Sequence, residues 1–452
     1  MKLDPENLPK TFCILPWIHS AIDPDGRVKP CCISTPFNLA MGYINDTTRL
    51  ADIWNGEKYK KMRREMLSGE WSSACSQCKV NEEARGYSYR TESNRRFINE
   101  VKAVDVSEDG SAKFKQVFID YRFTNKCNFK CITCGEPYSS SWAVETKKDS
   151  PRQSVGHWRL DENKKPFMLV ADGKKHYSPI IEVDGAALLD DLRDFYKDLS
   201  AVYFAGGEPL ISDSHYEILE LLVETQQPVT ISYNTNFSEL NYKGINVLEL
   251  WSKINGPIVL FPSIDGIGPK GECIRNGFIT ETFKQNIKTI LDFNKTQGSF
   301  HKSRSTYKIQ LNYNITFGIT NVLDVVGTVR WLEEQHQGYD QQPIIAFNPI
   351  FGPKYYSVRA LDQEQRQTVI ELLKEQIDNY LQETGNRDRA NIMIEQFLKW
   401  IQNVDYDPIT NDEANYALRL LNGVAKHKTL NWREHLVFLR DFLETKAAHN
   451  DK

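Results

Sequence analysis

The chain has 452 residues, too many for one ordinary core at about 150 residues per domain, and its 40% hydrophobic and 26% charged residues are those of a globular protein. Lys and Arg number 56 against 60 Asp and Glu, and the resulting net charge of -4 excludes a generalised polyanion-binding surface, so nucleic acid is not an expected partner. Residues 1–10 lack the apolar core of a signal peptide and no later run approaches a membrane span, which predicts a cytoplasmic protein without membrane association.

Nine cysteines fit that compartment only if most of them bind metal, because disulfides are rare there. Five lie in the first hundred residues: Cys13, Cys31, Cys32, Cys75 and Cys78. Asp23-Pro24-Asp25-Gly26 reads as a tight turn between two short strands, and the hairpin brings Cys13 and Cys31 together. Cys75 and Cys78 follow a helical segment, Ile53 to Leu67, and a Cys-x2-Cys loop presents two thiolates to one metal. Four ligands are then available, a set that suits an iron–sulfur cube or a zinc ribbon. Residues 79–113 are polar and read as a connector.

From Gln116 onward, apolar strand-like runs alternate with helical patterns. The strands are Val117 to Phe123, Ala201 to Ala205, Val229 to Asn234, Ile258 to Ile264, Lys308 to Thr316 and Ile344 to Asn348. The helices include Ser214 to Thr225, Asn246 to Ile254, Thr282 to Lys295 and Val322 to His336. This alternation predicts an α/β fold with a parallel sheet, open or curled into a partial barrel, whose chemistry sits in the loops at the carboxyl ends of the strands.

The first strand runs into Cys127-Asn-Phe-Lys-Cys131-Ile-Thr-Cys134. Three thiols at this spacing cannot pair off as disulfides without one left over, whereas three thiolates holding a four-iron cube leave one iron open to a small ligand. A zinc knuckle or three separate buried cysteines are the plainer alternatives. The second strand ends in Gly206-Gly207-Glu208-Pro209, where paired glycines let the backbone approach a ligand closely, although the same four residues also make an ordinary turn. The fourth ends in Ser263-Ile264-Asp265-Gly266, with Arg275 ten residues beyond Asp265. Residues 147–179 form a polar insertion, either a substrate lid or a surface excursion. Beyond residue 361 the chain is helical, with Val369, Leu372, Leu373, Ile377 and Leu381 as one apolar stripe, and could cover the mouth of a barrel.

The Cys-x3-Cys-x2-Cys loop after a strand, followed one βα step later by Gly-Gly-Glu-Pro, resembles the radical S-adenosylmethionine enzymes. The resemblance implies a partial (β/α)6 barrel. Cys127, Cys131 and Cys134 would hold a 4Fe-4S cluster whose open iron chelates S-adenosylmethionine. Gly206, Gly207, Glu208 and Pro209 would bind the methionine end, and Ser263, Asp265 and Arg275 the ribose and carboxylate. The family's aromatic residue before the last cysteine is Thr133 here. Adenine would then lean on Tyr203, Asn312 or Asn314.

Cys13, Pro16, Trp17, Gly26, Cys31, Gly42, Ile53, Trp54, Asn55, Gly56, Cys75 and Cys78 follow the order of the SPASM or twitch module, which carries auxiliary clusters in that family. It precedes the catalytic domain here instead of following it, and with no cysteine between Cys78 and Cys127 it implies one auxiliary 4Fe-4S cluster rather than two. The module's glycine-to-cysteine spacing selects Cys31 over Cys32. Cys273 and His215 read as packing or surface residues.

The implied domains are an auxiliary module over residues 1–100, a catalytic barrel over 101–360 and a helical extension over 361–452. The implied activity is reductive cleavage of S-adenosylmethionine to a 5'-deoxyadenosyl radical that removes hydrogen from a peptide, protein or small-molecule substrate. An external one-electron donor such as flavodoxin or ferredoxin would feed the site, and no residue stands out as a substrate base or hydrogen donor. An iron–sulfur electron-transfer protein, which needs neither Gly-Gly-Glu-Pro nor an open three-thiol site, and a zinc-stabilised binding module, which the α/β strand-end placement disfavours, are the competing functions.

Overall fold

The computed structural model describes residues 7–36, 39–45, 47–144, 147, 159–169, 175–183, 185–297, 307–425 and 431–448. The chain divides into two compact units: Met1–Asn128, Glu136–Asn234 and Asn241–Val259 form the first, and Phe129–Gly135, Thr235–Leu240 and Leu260–Lys452 the second.

The strands of the first unit are β1 (His19–Ile22), β2 (Arg27–Lys29), β3 (Gly42–Tyr43), β4 (Phe118–Tyr121), β5 (Ala201–Phe204) and β6 (Thr230–Thr235), in the order β6-β5-β4-β1-β2-β3. β4, β5 and β6 run parallel, with Phe118 opposite Ala201 and Ala201 opposite Thr230. β1 joins them in parallel, with His19 opposite Phe118, so the amino-terminal hairpin extends the same sheet. β1 and β2 are antiparallel across the Asp23–Gly26 turn, where Gly26 has φ +78° and a Cβ would come within 2.6 Å of the Ile44 carbonyl oxygen. Only glycine meets both conditions.

Helices Asp213–Thr225 and Val247–Lys253 are fixed to β6 through one buried hydroxyl. Tyr233 Oη meets His215 Nε2 at 2.9 Å and accepts from Trp251 Nε1 at 3.0 Å. His215 is fully buried, and burial lowers its pKa to about 3, so it packs as a neutral ring.

Two expectations change in this unit. The helix expected over Ile53 to Leu67 is two, Leu50–Trp54 and Glu57–Leu67, broken at Asn55–Gly56. The connector expected over residues 79–113 is largely helical, with Ser76–Arg85, Tyr89–Arg96 and Ile98–Ala103. Its polarity misled because these short helices bury few positions each, notably Arg90, Ser93 and Val101. Part of the insertion over 147–179 lies outside the described residues; the rest pairs as antiparallel strands Arg159–Leu160, Pro166–Leu169 and Lys175–His176.

In the second unit, β7 (Ile258–Pro262), whose chain enters after Val259, is followed by β8 (Ile309–Phe317) and β9 (Ile344–Pro349). β8 and β9 are parallel, Asn312 opposite Ile344. β8 alternates strictly, burying Ile309, Leu311, Tyr313, Ile315 and Phe317 and turning Asn312 and Asn314 to the other face.

The carboxyl-terminal helices belong to this unit. The longest, Gln363–Thr384, starts at a capping box between Asp362 and Gln365 and ends at Gly385 with φ +66°. Its buried stripe is Val369, Ile370, Leu373, Ile377 and Tyr380. Leu372, expected in it, is 41% exposed. Tyr380 Oη bonds the Glu333 carboxylate at 2.8 and 2.9 Å, which seats this helix on Val325–Gln335. Among the described residues no helix is long and apolar enough to cross a membrane.

Candidate functional site

In the first unit, Cys13, Cys31 and Cys75 of the amino-terminal module pack with a core that includes Phe12, Ile14, Leu15, Trp17, Met62 and Met66, and Cys78 lies in the field of Cys13 and Cys75. Cys13 and Cys78 are buried, while Cys31 and Cys75 are half-buried. The thiols lie in one another's field. Burial raises the Cys13 pKa, with Cys75 and Cys78 adding to it; burial also raises Cys31, with Cys32, Cys13 and Cys75 adding. Cys75 is pushed up to about 12 by burial and by Cys78. Such thiols hold their protons until a cation replaces them.

Cys32 differs from its neighbour. Burial raises its pKa to about 11, and the charges around it are Asp120, Arg122 and Lys29, with Tyr89 hydrogen-bonded to the thiol. The hairpin therefore turns Cys31 toward Cys13 and Cys75, and Cys32 toward the charged face of the sheet.

The segment around Cys13 is clamped from both sides. Ile14 donates its N–H to Asn94 Oδ1 at 2.8 Å, while Asn94 Nδ2 and Arg90 Nη1 donate to the Phe12 carbonyl at 2.9 and 2.6 Å. Arg63 supports the helix that follows. It is fully buried, donates twice to the Pro16 carbonyl at 2.9 and 2.8 Å, and stacks its guanidinium 4.8 Å from Trp54 and 5.0 Å from Tyr59.

At the end of β4 the chain enters the cysteine loop, and here the first unit brings two sequence motifs together. Gly207 donates its N–H to the Thr124 carbonyl at 2.9 Å and Glu208 to the Lys126 carbonyl at 2.8 Å, immediately before Cys127. Gly206 adopts φ +105°, and a Cβ on Gly207 would lie 2.2 Å from the Lys126 carbonyl oxygen. Both glycines are thus required for this approach. Glu208 is 1% exposed, and its carboxylate accepts the Leu210 N–H at 3.1 Å, capping the short turn Pro209–Ile211. Cys127 is held through its carbonyl, which accepts from Ser141 Oγ at 2.7 Å.

In the second unit, Cys131 pairs in a two-residue antiparallel ladder with Arg275, and Ile132 donates to the Ile274 carbonyl at 2.9 Å. Cys134 is pushed up to about 12 by burial and by Cys131, with Arg275 opposing. Arg275 Nη1 is 2.9 Å from Asp265 Oδ2, and Asp265 Oδ1 accepts the Thr316 N–H at 2.9 Å. Both Asp265 oxygens are taken and the residue is 2% exposed, so it anchors Arg275 and the Cys131 ladder. Ser263 bridges Asn314 in parallel and donates its N–H to Thr235. Asn312 Oδ1 is buried without a hydrogen-bond partner among the described residues. Cys273 is buried at 8% exposure. A cavity of about 430 Å³ in this unit, lined by the Lys270–Asp324 ion pair, Arg330 and Gln376, contains none of the expected cysteines.

One feature of the first unit escaped the sequence reading. β4 carries Asp120 on the face that also bears Tyr203 of β5 and Lys29 of β2, since paired residues point the same way, and Arg122 follows one residue past the strand's end. Asp120 is 1% exposed and ion-pairs with Arg122 at 3.2 Å, and Lys29 is 2.9 Å from Asp23. A buried carboxylate amid Phe118, Ile119 and Tyr121 was the available signal. Tyr203, one of three expected adenine contacts, lies in the field of Asp120, Arg122 and Cys32.

Among the described residues no three Cys, His, Asp or Glu side chains close around a single ion. Thiolates of one tetrahedral ion stand about 3.8 Å apart for metal–sulfur bonds of ~2.3 Å. Those of a cube stand farther apart, because each binds a different iron. Two buried and two half-buried thiols in one another's field, with Arg90 nearby and no disulfide among them, fit the wider set.

Residues 13–79 match the model of the SPASM iron–sulfur cluster-binding domain. No curated protein matches the chain. Among solved structures, the chain is similar to hexahistidine-tagged anSMEcpe with bound AdoMet at 16% identity and TM-score 0.34, covering 60% of this chain and 62% of that one. It is also similar to Streptococcus suis SuiB bound to S-adenosylmethionine, at 16% identity and TM-score 0.34 over 72% of this chain and 63% of that one. SuiB bound to precursor peptide SuiA follows at 15% identity and TM-score 0.31, over 69% and 60%. The chain thus spans about 62–63% of the length of the first two.

Proposed function

We propose that this protein is a radical S-adenosylmethionine enzyme with one auxiliary iron–sulfur cluster. The observation that carries the reading is the backbone pairing of Gly207 and Glu208 with Thr124 and Lys126, which ties the Gly-Gly-Glu-Pro turn to the strand end that opens into Cys127. A ligand held by that turn would then lie beside the residues that lead into Cys127. An electron-transfer protein has no use for such a turn.

Cys127, Cys131 and Cys134 would hold a 4Fe-4S cluster, and Cys13, Cys31, Cys75 and Cys78 a second, fully ligated one. When bound, the first cluster supplies the electron that cleaves S-adenosylmethionine, and the radical released takes hydrogen from a peptide or small-molecule substrate. The protein's own part is to bind and orient. The buried Glu208 carboxylate attracts the methionine ammonium while capping its turn, and Asp265 holds Arg275 against the cysteine ladder. Four cysteines would ligate the auxiliary cluster fully, which favours electron acceptance over substrate binding. A flavodoxin- or ferredoxin-like protein would supply electrons from outside, in a cytoplasmic setting.

The test is chemical. Anaerobically reconstituted protein is incubated with S-adenosylmethionine and dithionite, and 5'-deoxyadenosine and methionine are quantified. Both should form, and Gly207→Ala, which forces the turn away from the Lys126 carbonyl, should weaken S-adenosylmethionine binding about ten-fold or more, a shift of roughly 1.4 kcal/mol or more. Full iron loading with no 5'-deoxyadenosine would sink the proposal.

A further inference from the structure

We infer that Arg90 sets the reduction potential of the auxiliary site, holding it high enough for the site to take electrons from a substrate rather than supply them. The inference rests on the proposed assignment of Cys13, Cys31, Cys75 and Cys78 to an iron–sulfur cube. Arg90 is 9% exposed, and a guanidinium so far out of water needs its donors filled. Three of the five are filled by the cysteine module itself. Nε and Nη2 donate to the two Glu82 carboxylate oxygens at 2.8 and 2.6 Å, Nη1 donates to the Phe12 carbonyl at 2.6 Å, and the Trp71 ring covers the group at 5.5 Å.

These partners fix the charge beside the thiols from two directions. Phe12 directly precedes Cys13, and Glu82 lies one turn beyond Cys78 on the helix Ser76–Arg85. Asn94, one turn after Arg90 on Tyr89–Arg96, holds the other side of Cys13 through the Ile14 N–H. The ion pair is not symmetric toward the cysteines. Nη1 meets the Phe12 carbonyl, directly beside Cys13, whereas Glu82 is held on the opposite edge of the guanidinium by Nε and Nη2. Cys13 therefore faces the cationic end of the pair. A cluster's potential follows its local charge and hydrogen bonding, and the reduced state is the more negative one. A fixed cation there favours reduction. Uptake of one electron needs no proton or bond change from Arg90, which acts as a positioning residue and is not a catalytic one.

A mere clamp and an electrostatic regulator differ in one respect: removing either half of the ion pair moves the potential in opposite directions only in the second case. The experiment is an EPR-monitored redox titration of the reconstituted full-length protein, following the cluster signal that survives replacement of Cys127, Cys131 and Cys134 by Ala. Arg90→Met leaves Glu82 uncompensated and should make reduction roughly ten-fold less favourable, ~59 mV for one electron. Glu82→Gln leaves Arg90 on the Phe12 carbonyl and should shift the signal the other way, with iron content unchanged. Arg90→Lys should stay closer to wild type than Arg90→Met. Unchanged potentials, or shifts of the same sign in both variants, overturn the inference; if Arg90→Met fails to load iron, Glu82→Gln decides alone. Zinc in place of iron in the wild-type protein would instead overturn the cluster assignment beneath it.

Discussion

The two cysteine groups of this chain are built on opposite plans. The four thiols of the amino-terminal module belong to one compact unit, two of them buried, and the backbone beside Cys13 is clamped by the side chains of Arg90, Asn94 and Arg63. The three of the strand-end loop are held mainly through backbone: a hydroxyl on the Cys127 carbonyl, a two-residue ladder at Cys131, and glycine amides on the residues just before. A closed site is protected by side chains that exclude ligands. An open site must leave its approach free, and glycine and backbone ladders give rigidity without bulk. On the proposed assignment, the first group would exchange electrons only and the second would meet a small molecule.

The sharpest way to break that contrast is to remove the open site. Replacing Cys127, Cys131 and Cys134 with Ala should abolish 5'-deoxyadenosine formation and reduce iron from about eight to about four per chain, the content of one cube. Iron analysis beside a product assay checks it, and undiminished iron would make the two groups indistinguishable. Next in size is Asp265→Ala, which strands Arg275 beside the Cys131 ladder. Breaking a buried pair costs about 3–5 kcal/mol, and the thermal midpoint should fall by several degrees. An unchanged melting curve would mean that the ladder does not depend on this pair.

Glu208→Gln sharpens the comparison at the ligand side. The amide oxygen can still cap the Leu210 N–H, so what is lost is charge, worth roughly 1.5–3 kcal/mol against an ammonium. S-adenosylmethionine affinity should drop about ten-fold to a hundred-fold by equilibrium binding, with the cluster spectrum intact. Equal affinity would reduce the turn to a structural one. The smallest effect is expected at Cys32. Cys32→Ala should retain its iron, whereas Cys31→Ala should lose the auxiliary cluster, and a reversed pair of iron counts would reassign the ligand.

Much of this was legible in the sequence where the signal was local. Alternation in Lys308 to Thr316 marked β8 to within a residue at each end, and Asp23–Gly26 marked its turn because only one backbone conformation suits it. Cysteine spacing marked both loops. What was not legible depends on side-chain direction or distant partners. Adjacent Cys31 and Cys32 point to different surroundings because of the hairpin's path, which spacing alone does not carry. Arg90 and Phe12 are 78 residues apart, and nothing in the polar stretch around Arg90 marks it as buried. The stripe on Gln363–Thr384 matches at Val369, Leu373 and Ile377 and differs at two places, where Ile370 and Tyr380 are buried in place of Leu372 and Leu381, because only packing separates these large side chains.

On the proposed assignment one cluster, and only the three-thiol one, responds to S-adenosylmethionine. EPR spectra of the dithionite-reduced protein, recorded with and without S-adenosylmethionine, measure this. Two reduced-cluster signals are expected, of which one shifts on addition, and the shifting signal should be missing when Cys127, Cys131 and Cys134 are replaced by Ala. A shifting signal that persists in that variant, or spectra that S-adenosylmethionine leaves unchanged, would contradict it.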